Sequence, residues 1–444
     1  MKKLAFQVTF LSDVVLPASS NTEGNVVYLD FIPGSNFLGM AAKHYGEFTN
    51  SFDLFHSGKV RFGDAHLLVN NTVTYKMPLS YFHEKLDDST LYNHHLIEDF
   101  TSFKQLKQKR VGYITSDNDL VYIDHNYTQK SAYDKEHRRS KEGSMFGYQA
   151  LQAGTKWYFT IRYSEDTSSE DIALLKKYLV GTQRLGKSKS AQYGLVEITA
   201  VEPIKEQDIN DKSADMALLY LRSRVALLDE NGFVTLDPRY LAKDLKIDYG
   251  KTQIKTTSFT PYNGAMQTKS YEKVCLEKGS VIVVENLTSS QKEEIERGVG
   301  AYLSEGFGEV LINPSFLQKT RFSLKKITRE NVQSQEKEPV TDLAKFLKQK
   351  KQKRDEKLKI LQEVDAFIAK HGSLYRNIKP SQWGKIRSIC TAGELNFKEE
   401  IREYISNGTK KWENDQIGRL LDNEHGLEFI KLLSIQMPKQ GGEK

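Results

Sequence analysis

Two stretches of this chain, residues 155–200 and 279–312, repeat one order of parts: strand, helix, glycine-rich loop, strand. In the first, residues 155–163 are rich in β-branched and aromatic side chains, the composition of a strand. After a Ser-rich turn, Ser168 and Asp171 stand at capping-box spacing ahead of an apolar stripe at Ile172, Leu175 and Leu179, which predicts a helix. A loop over 181–194 leads to the strand 195–199. In the second copy, residues 280–284 form the strand, Ser289 and Ser290 open a helix through Ile295, and the loop 298–308 leads into 309–312. Tyr193-Gly194 and Phe307-Gly308 fall at equivalent places. The duplication predicts an α+β protein of two tandem ferredoxin-like (RRM-like) domains, each a four-stranded antiparallel sheet backed by helices.

At 444 residues the chain has room for two or three domains at about 150 residues each. The expected division is 1–203 for the first domain, with an insertion at about 86–150, then 204–324 for the second. A polar linker follows over 325–340, and a basic helical region over 341–444. Net charge is only +6, so its distribution matters more than its sum. Two cysteines, Cys275 and Cys390, give neither a disulfide framework nor a zinc ligand set. The start reads as a strand, because polar residues interrupt any signal-peptide core. Nowhere do 18 apolar residues run together, so no membrane span is expected and a cytoplasmic location follows by default.

The two loops differ in charge. In 181–194, Arg184, Lys187 and Lys189 alternate with Gly186, Ser188 and Ser190. Glycines let a backbone approach a ligand, amides and hydroxyls donate hydrogen bonds, and cations neutralise phosphates, which is the chemistry of an anion site. The spacing is not that of a Walker loop, and the alternative is a solvated surface turn. The second loop carries Glu305 and Glu309 and reads as structural.

With these residues in place, the chain resembles the RAMP superfamily, the repeat-associated proteins that assemble on CRISPR guide RNA. Residues 181–194 resemble its C-terminal glycine-rich loop, and residues 30–39 (DFIPGSNFLG) resemble its Ile-Pro-Gly-Ser-Ser-x-x-Lys-Gly segment, with Asn36 and Leu38 in place of the usual small residue and Lys. Residues 60–66, 77–85, 256–280 and 381–387 are similar to parts of the type III-D "csx-ten" subfamily. The resemblance implies a non-catalytic subunit of a type III effector complex. Such a subunit holds the repeat-derived 5′ handle of the guide RNA and bridges the large signalling subunit to the filament RAMP subunits. His94-His95 and the two cysteines show no metal-ligand spacing, and no cofactor or metal is expected. The implied RNA contacts are Arg184, Gly186, Lys187, Ser188, Lys189, Ser190 and Tyr193 from the loop, Gly34, Ser35, Asn36 and Lys43 from the first segment, and His137, Arg138 and Arg139 from the insertion. Tyr193, Phe146, Tyr148 and Tyr133 are candidates for stacking on bases, with core or rim packing as the alternative.

The insertion holds two positive clusters, Lys104 to Arg110 and Lys135 to Lys141, around strands at 112–115 and 120–123. The run 133–147 is expected as a loop that closes over RNA or wedges between base pairs, against a merely solvated loop. In the tail, residues 341–360 hold eight Lys or Arg against three acids and open a helix. An apolar stripe at Leu361, Val364, Phe367 and Ile368 follows, and further helices are expected around 383–389, 401–405 and 417–433. The basic face of the tail suits RNA or an acidic neighbour. Some RAMP relatives cut RNA, so endoribonuclease activity is the alternative function, with His137, His44, and Glu23 or Asp30 as candidates. A subunit that only bridges proteins is a third reading.

Overall fold

The computed structural model describes residues 1–18, 27–190, 192–204, 216–264, 266–327, 342–393, 396–408, 412–422 and 424–441. The chain divides into two compact units, Met1–Ser334 and Gln335–Lys444.

Two of the sheets of the first unit share one strand permutation. Lys2–Phe10 pairs antiparallel with Lys156–Tyr163 on one side and Leu195–Val201 on the other, and Lys156–Tyr163 continues to Val60–Phe62 and His66–Val69. In chain order the spatial sequence is fourth, first, third, second. The helices Gly34–Ala41 and Ser169–Leu179 connect first to second and third to fourth. Leu4, Phe6, Val8 and Phe10 alternate along the first strand and share one core with Phe37, Met40, Ile172, Leu175 and Leu179 of the helices. This is the period-2 face of a strand covered by the 3.6-period face of a helix. Phe37 stacks on Phe159 with ring centres 3.7 Å apart.

The helix forms where expected, but Asp171 does not close a capping box. Its buried carboxylate accepts the backbone N–H groups of Thr49 (2.8 Å) and Asn50 (3.2 Å). Two amides from a distant turn satisfy a buried carboxylate better than the helix's own first turn does. The 181–194 segment is also only partly a loop, because Gly181–Arg184 pairs along the outer edge of Leu195–Val201.

In the second sheet the spatial order is Lys246–Ile247, Val281–Glu285, Met216–Leu221, Val310–Ile312, which in chain terms is second, third, first, fourth. This is the same permutation reversed. Ser289–Arg297 links the third and fourth strands and carries a reciprocal capping box between Thr288 and Gln291, one residue before the expected serine cap. A short 3-10 turn, Pro238–Leu241, stands where the first copy has a helix.

Both faces of this second sheet are covered, which explains its uninterrupted apolar strands. One face packs Leu219, Leu221, Ile282 and Val284 against Ile295 and Val299. The other packs Leu218, Tyr220, Val281 and Val283 against Tyr75, Met77, Tyr81, Leu91, Ile114 and Leu120. The stretch expected as an insertion is therefore divided: its first part is core for the second sheet. The boundary expected at 203/204 marks the passage between sheets inside one compact unit. Of the expected linker, Lys325–Lys326 pairs in parallel with Asp119–Val121, while 328–340 lies outside the described residues.

The second unit is helical. Asp342–His371, Pro380–Ala392, Phe397–Ser406, Asn414–Leu420 and Leu427–Gln436 enclose a core of Val364, Phe367, Trp383, Ile386, Ile430 and Leu433, with Tyr375 and Trp412 packed edge-on to Trp383. The segment 417–433 makes two helices because the chain turns before Gly426, the N-cap of the second. No helix of the described residues is long and apolar enough to cross a membrane.

Candidate nucleic-acid interface

Residues expected as a loop form a long two-stranded ribbon. His125–Asp134 pairs antiparallel with Arg139–Leu151, with Thr128 opposite Tyr148 and Lys130 opposite Phe146. The turn is closed by Asp134, whose carboxylate accepts the amides of Glu136 and His137, with Arg138 in the left-handed region at φ 51°. Gly147 makes room across the ribbon, since a Cβ there would lie 2.2 Å from the Tyr127 hydroxyl oxygen. At the base, Asp13 accepts from the Asn126 side chain (2.9 Å) and the Ala153 amide (2.8 Å), and the Tyr28 hydroxyl donates to the Gly147 carbonyl (2.9 Å).

The glycine-rich loop is pinned to the same base. The Lys187 amide donates to the Val15 carbonyl, the Gly194 amide to the Asp13 carbonyl and the Leu185 amide to the Gly194 carbonyl, each at 2.8 Å. Gly186 holds φ 82°, and a Cβ there would lie 2.4 Å from the Val15 oxygen, so only glycine passes. Side chains then join loop to ribbon. Lys187 Nζ lies 5.9 Å from the Tyr148 ring centre, and Lys130 Nζ donates to Gln192 Oε1 at 2.5 Å while sitting 4.9 Å from the Tyr193 ring centre. Arg184, Lys189 and Ser190 are exposed, Lys187 and Ser188 half-buried, and Arg184 donates to the Lys189 carbonyl (3.0 Å). The ribbon adds exposed Lys135, His137, Arg138, Arg139 and Lys141, and exposed rings at Tyr127, Tyr133 and Phe146. Loop and ribbon thus present cations and aromatic faces on one scaffold, the pair of chemistries that holds single-stranded nucleic acid.

Several expected contacts are placed differently. Tyr193 is 1% exposed, packed with Val15, Ala150 and Tyr148, so its ring offers no face to a base. Gly34 is buried and its amide donates to Asp64 Oδ1 (3.0 Å), leaving no N–H for a phosphate. A Cβ at Gly34 would lie 1.8 Å from the Phe62 carbonyl oxygen and 2.8 Å from that of Glu305, so the glycine serves close packing between the first helix and the second loop. Ser35 and Asn36 are half-buried beside it, and Lys43 is exposed on the turn that follows. The exposed ring of Tyr127 and the loop-bound Lys130 carry no clear signal in the sequence, because 125–134 is almost entirely polar with tyrosines only at 127 and 133.

The second loop is structural, as its charge suggested. Glu309 is buried with Arg162 at 2.9 Å and Arg222 at 3.9 Å, and although burial opposes its ionisation, the two guanidinium groups hold its carboxyl below the usual range. Glu305 pairs with Lys273 at 2.5 Å. Beneath the Ile-Pro-Gly-Ser segment, Lys278 is buried 3.3 Å from Asp64 and 3.3 Å from the Phe31 ring centre.

Among the residues weighed for catalysis, His137 Nδ1 lies 2.9 Å from Asp134 Oδ2. His44 stacks on Tyr178 and pairs with Glu47, Asp30 pairs with Lys76, and Glu23 lies outside the described residues. His95 is buried, with Nε2 donating to the Leu317 carbonyl (2.9 Å). No group of three or more metal-ligating side chains stands together among the described residues.

No protein-family model matches the chain, and no curated protein matches it. Among solved structures, a chain of the type III-B Cmr-beta complex bound to cognate target RNA aligns at 11% identity and a TM-score of 0.40, covering 69% of this chain and 96% of that one. A chain of the Csm3-Csm4 subcomplex of the type III-A CRISPR-Cas interference complex aligns at 11% identity and a TM-score of 0.36, covering 70% and 99%.

Proposed function

We propose that this chain is an RNA-binding subunit of a type III CRISPR effector complex, a RAMP protein of two ferredoxin-like domains close to the "csx-ten" subfamily. It grips the repeat-derived 5′ handle of the guide RNA, bridges the large signalling subunit to the filament subunits, and turns over no substrate. The observation that carries the reading is the junction of the cationic glycine-rich loop with the ribbon that bears the Lys135–Lys141 cluster at its turn: Lys187 of the loop reaches Tyr148 of the ribbon, and Lys130 of the ribbon reaches Gln192 of the loop. Phosphates bind the cations of that junction, and bases stack on Tyr127, Tyr133 and Phe146. The fourth-first-third-second strand order of both sheets supports the two-domain reading.

The test is guide RNA retention by the variant Arg184→Ala/Lys187→Ala/Lys189→Ala across a salt series. Loss of three phosphate contacts lowers the slope of log K against log[salt] by about 2. Unchanged retention contradicts the reading and favours a subunit that only bridges proteins.

One observation favours a second reading, an endoribonuclease. His137 has a carboxylate on Nδ1, as an oriented general base does, and two arginines beside it. Loss of precursor cleavage on His137→Ala, with RNA affinity kept, would establish it.

A further inference from the structure

The helix Asp342–His371 has two halves of different character. Its C-terminal half is anchored in the second unit's core by Val364, Phe367 and Ile368. From 342 to 359 every described side chain is exposed except Lys348, which is half-buried. At 1.5 Å per residue this arm is about 27 Å long. A helix exposed on all sides needs a partner or strong internal pairing to persist.

Four of the eight cations over 341–360 fall on one stripe. Lys350, Lys353, Arg354 and Lys357 recur at i, i+3, i+4 and i+7, within an arc of about 100° on the helix wheel. Arg354 also lies 3.5 Å from Asp355, Asp342 is paired with Lys345, and Lys345, Lys348, Lys351 and Lys359 stand off the stripe. At the N-terminal end of the cationic stripe stands Phe346, 53% exposed, with Lys350 Nζ 5.2 Å from its ring centre. The stripe's own neighbours, Lys350 with Arg354 and Lys353 with Lys357, repel at i, i+4, a cost that a polyanion removes.

We infer that this stripe, Phe346 with Lys350, Lys353, Arg354 and Lys357, is a second RNA site on the chain, which takes the backbone of a single strand with one base stacked on Phe346. The choice of RNA rests on the function proposed above. The chemistry of the stripe agrees: a ring for a base beside cations for phosphates. A bilayer surface would need a continuous apolar face, and residues 348–357 contain no apolar side chain.

The experiment measures binding of a fluorescent single-stranded RNA of mixed sequence to the full chain over a salt series, with circular dichroism confirming that each variant keeps its helix. The set Lys350→Gln/Lys353→Gln/Arg354→Gln/Lys357→Gln is expected to lower the salt slope by about 3 and affinity at low salt by about tenfold or more. Phe346→Ala is expected to lower affinity with the slope unchanged. An unchanged slope in the four-site variant overturns the inference. If only the Arg184, Lys187 and Lys189 variant weakens binding, the arm site fails and the proposed function stands; if only the arm variants do, the arm stands and the loop reading fails. Loss of binding to phosphatidylserine vesicles, with RNA binding intact, would overturn the inference in favour of a membrane surface.

Discussion

Lys187 sits 5.9 Å from the centre of the Tyr148 ring while its own amide is bonded to the Val15 carbonyl. The glycine-rich loop is thereby fixed at both its backbone and its side chain to the root of the ribbon, and the cations of one extend the surface of the other.

That fixing depends on Gly186. Any Cβ there meets the Val15 oxygen at 2.4 Å, and φ 82° is a left-handed conformation. Gly186→Ala is expected to cost about 1–3 kcal/mol in chemical denaturation and to weaken RNA binding as the loop lifts. Wild-type stability and affinity in this variant would mean that the loop is not held as described.

Burial and exposure separate the aromatic residues. The Tyr193 hydroxyl is buried without a hydrogen-bond partner, so Tyr193→Phe should leave stability equal or higher and RNA affinity unchanged. Tyr127, 71% exposed, is available to a base, and Tyr127→Ala should reduce affinity by about 1–3 kcal/mol, measured by fluorescence anisotropy. The reverse ranking would place the base-stacking ring elsewhere.

Acid should destabilise the first unit through its buried histidines. Burial pushes the His95 imidazole down to about 4, and His66, buried among Arg222 and Lys278, is held well below its usual range by burial and those cations. Both are neutral in the fold and take up protons more readily when unfolded. Their stabilisation is therefore complete above the usual imidazole value of about 6.5 and is lost as pH falls toward 4. The His95 contribution alone amounts to about 2 kcal/mol between pH 7 and pH 5. Denaturation midpoints at the two pH values measure it, and His95→Asn should flatten the dependence; a wild-type midpoint unchanged by pH would contradict the burial.

The Asp64–Lys278 pair is a second weak point by design of the packing. Both side chains are buried, 3.3 Å apart, and Asp64 also receives the Gly34 amide. Asp64→Ala leaves an ammonium buried without its carboxylate, an expected loss of about 3–5 kcal/mol, which Asp64→Ala/Lys278→Met should partly restore. A loss below about 1 kcal/mol would show that water reaches the pair.

Periodicity made single helices legible: Ile172, Leu175 and Leu179 declare one in the duplicated unit, and Val364, Phe367 and Ile368 another in the helical tail. The charge of each glycine-rich loop was equally open to reading, and Glu309 is indeed internal. What sequence could not supply was long-range pairing. Tyr75, Tyr81 and Ile114 lie on strands of two to four residues, too short to show a period, Met77 follows the first of them, and their partners on the second sheet are more than a hundred positions away. Gly34 looked like a phosphate contact because its role, passing under Phe62 and Glu305, depends on segments brought together only by the fold. The run 133–147 looked like a loop because its alternation is polar on both faces, as a ribbon exposed on both sides requires.

The central claim, that ribbon and loop form one surface for the guide RNA handle, is tested most directly by ultraviolet crosslinking of the chain expressed beside its genomic neighbours and a repeat array, followed by sequencing of the bound RNA and mapping of the crosslinked peptides. The account predicts crosslinks from the repeat-derived 5′ end to peptides within both 125–151 and 181–194. Crosslinks confined to spacer or target RNA, or absent from both peptides, would contradict it.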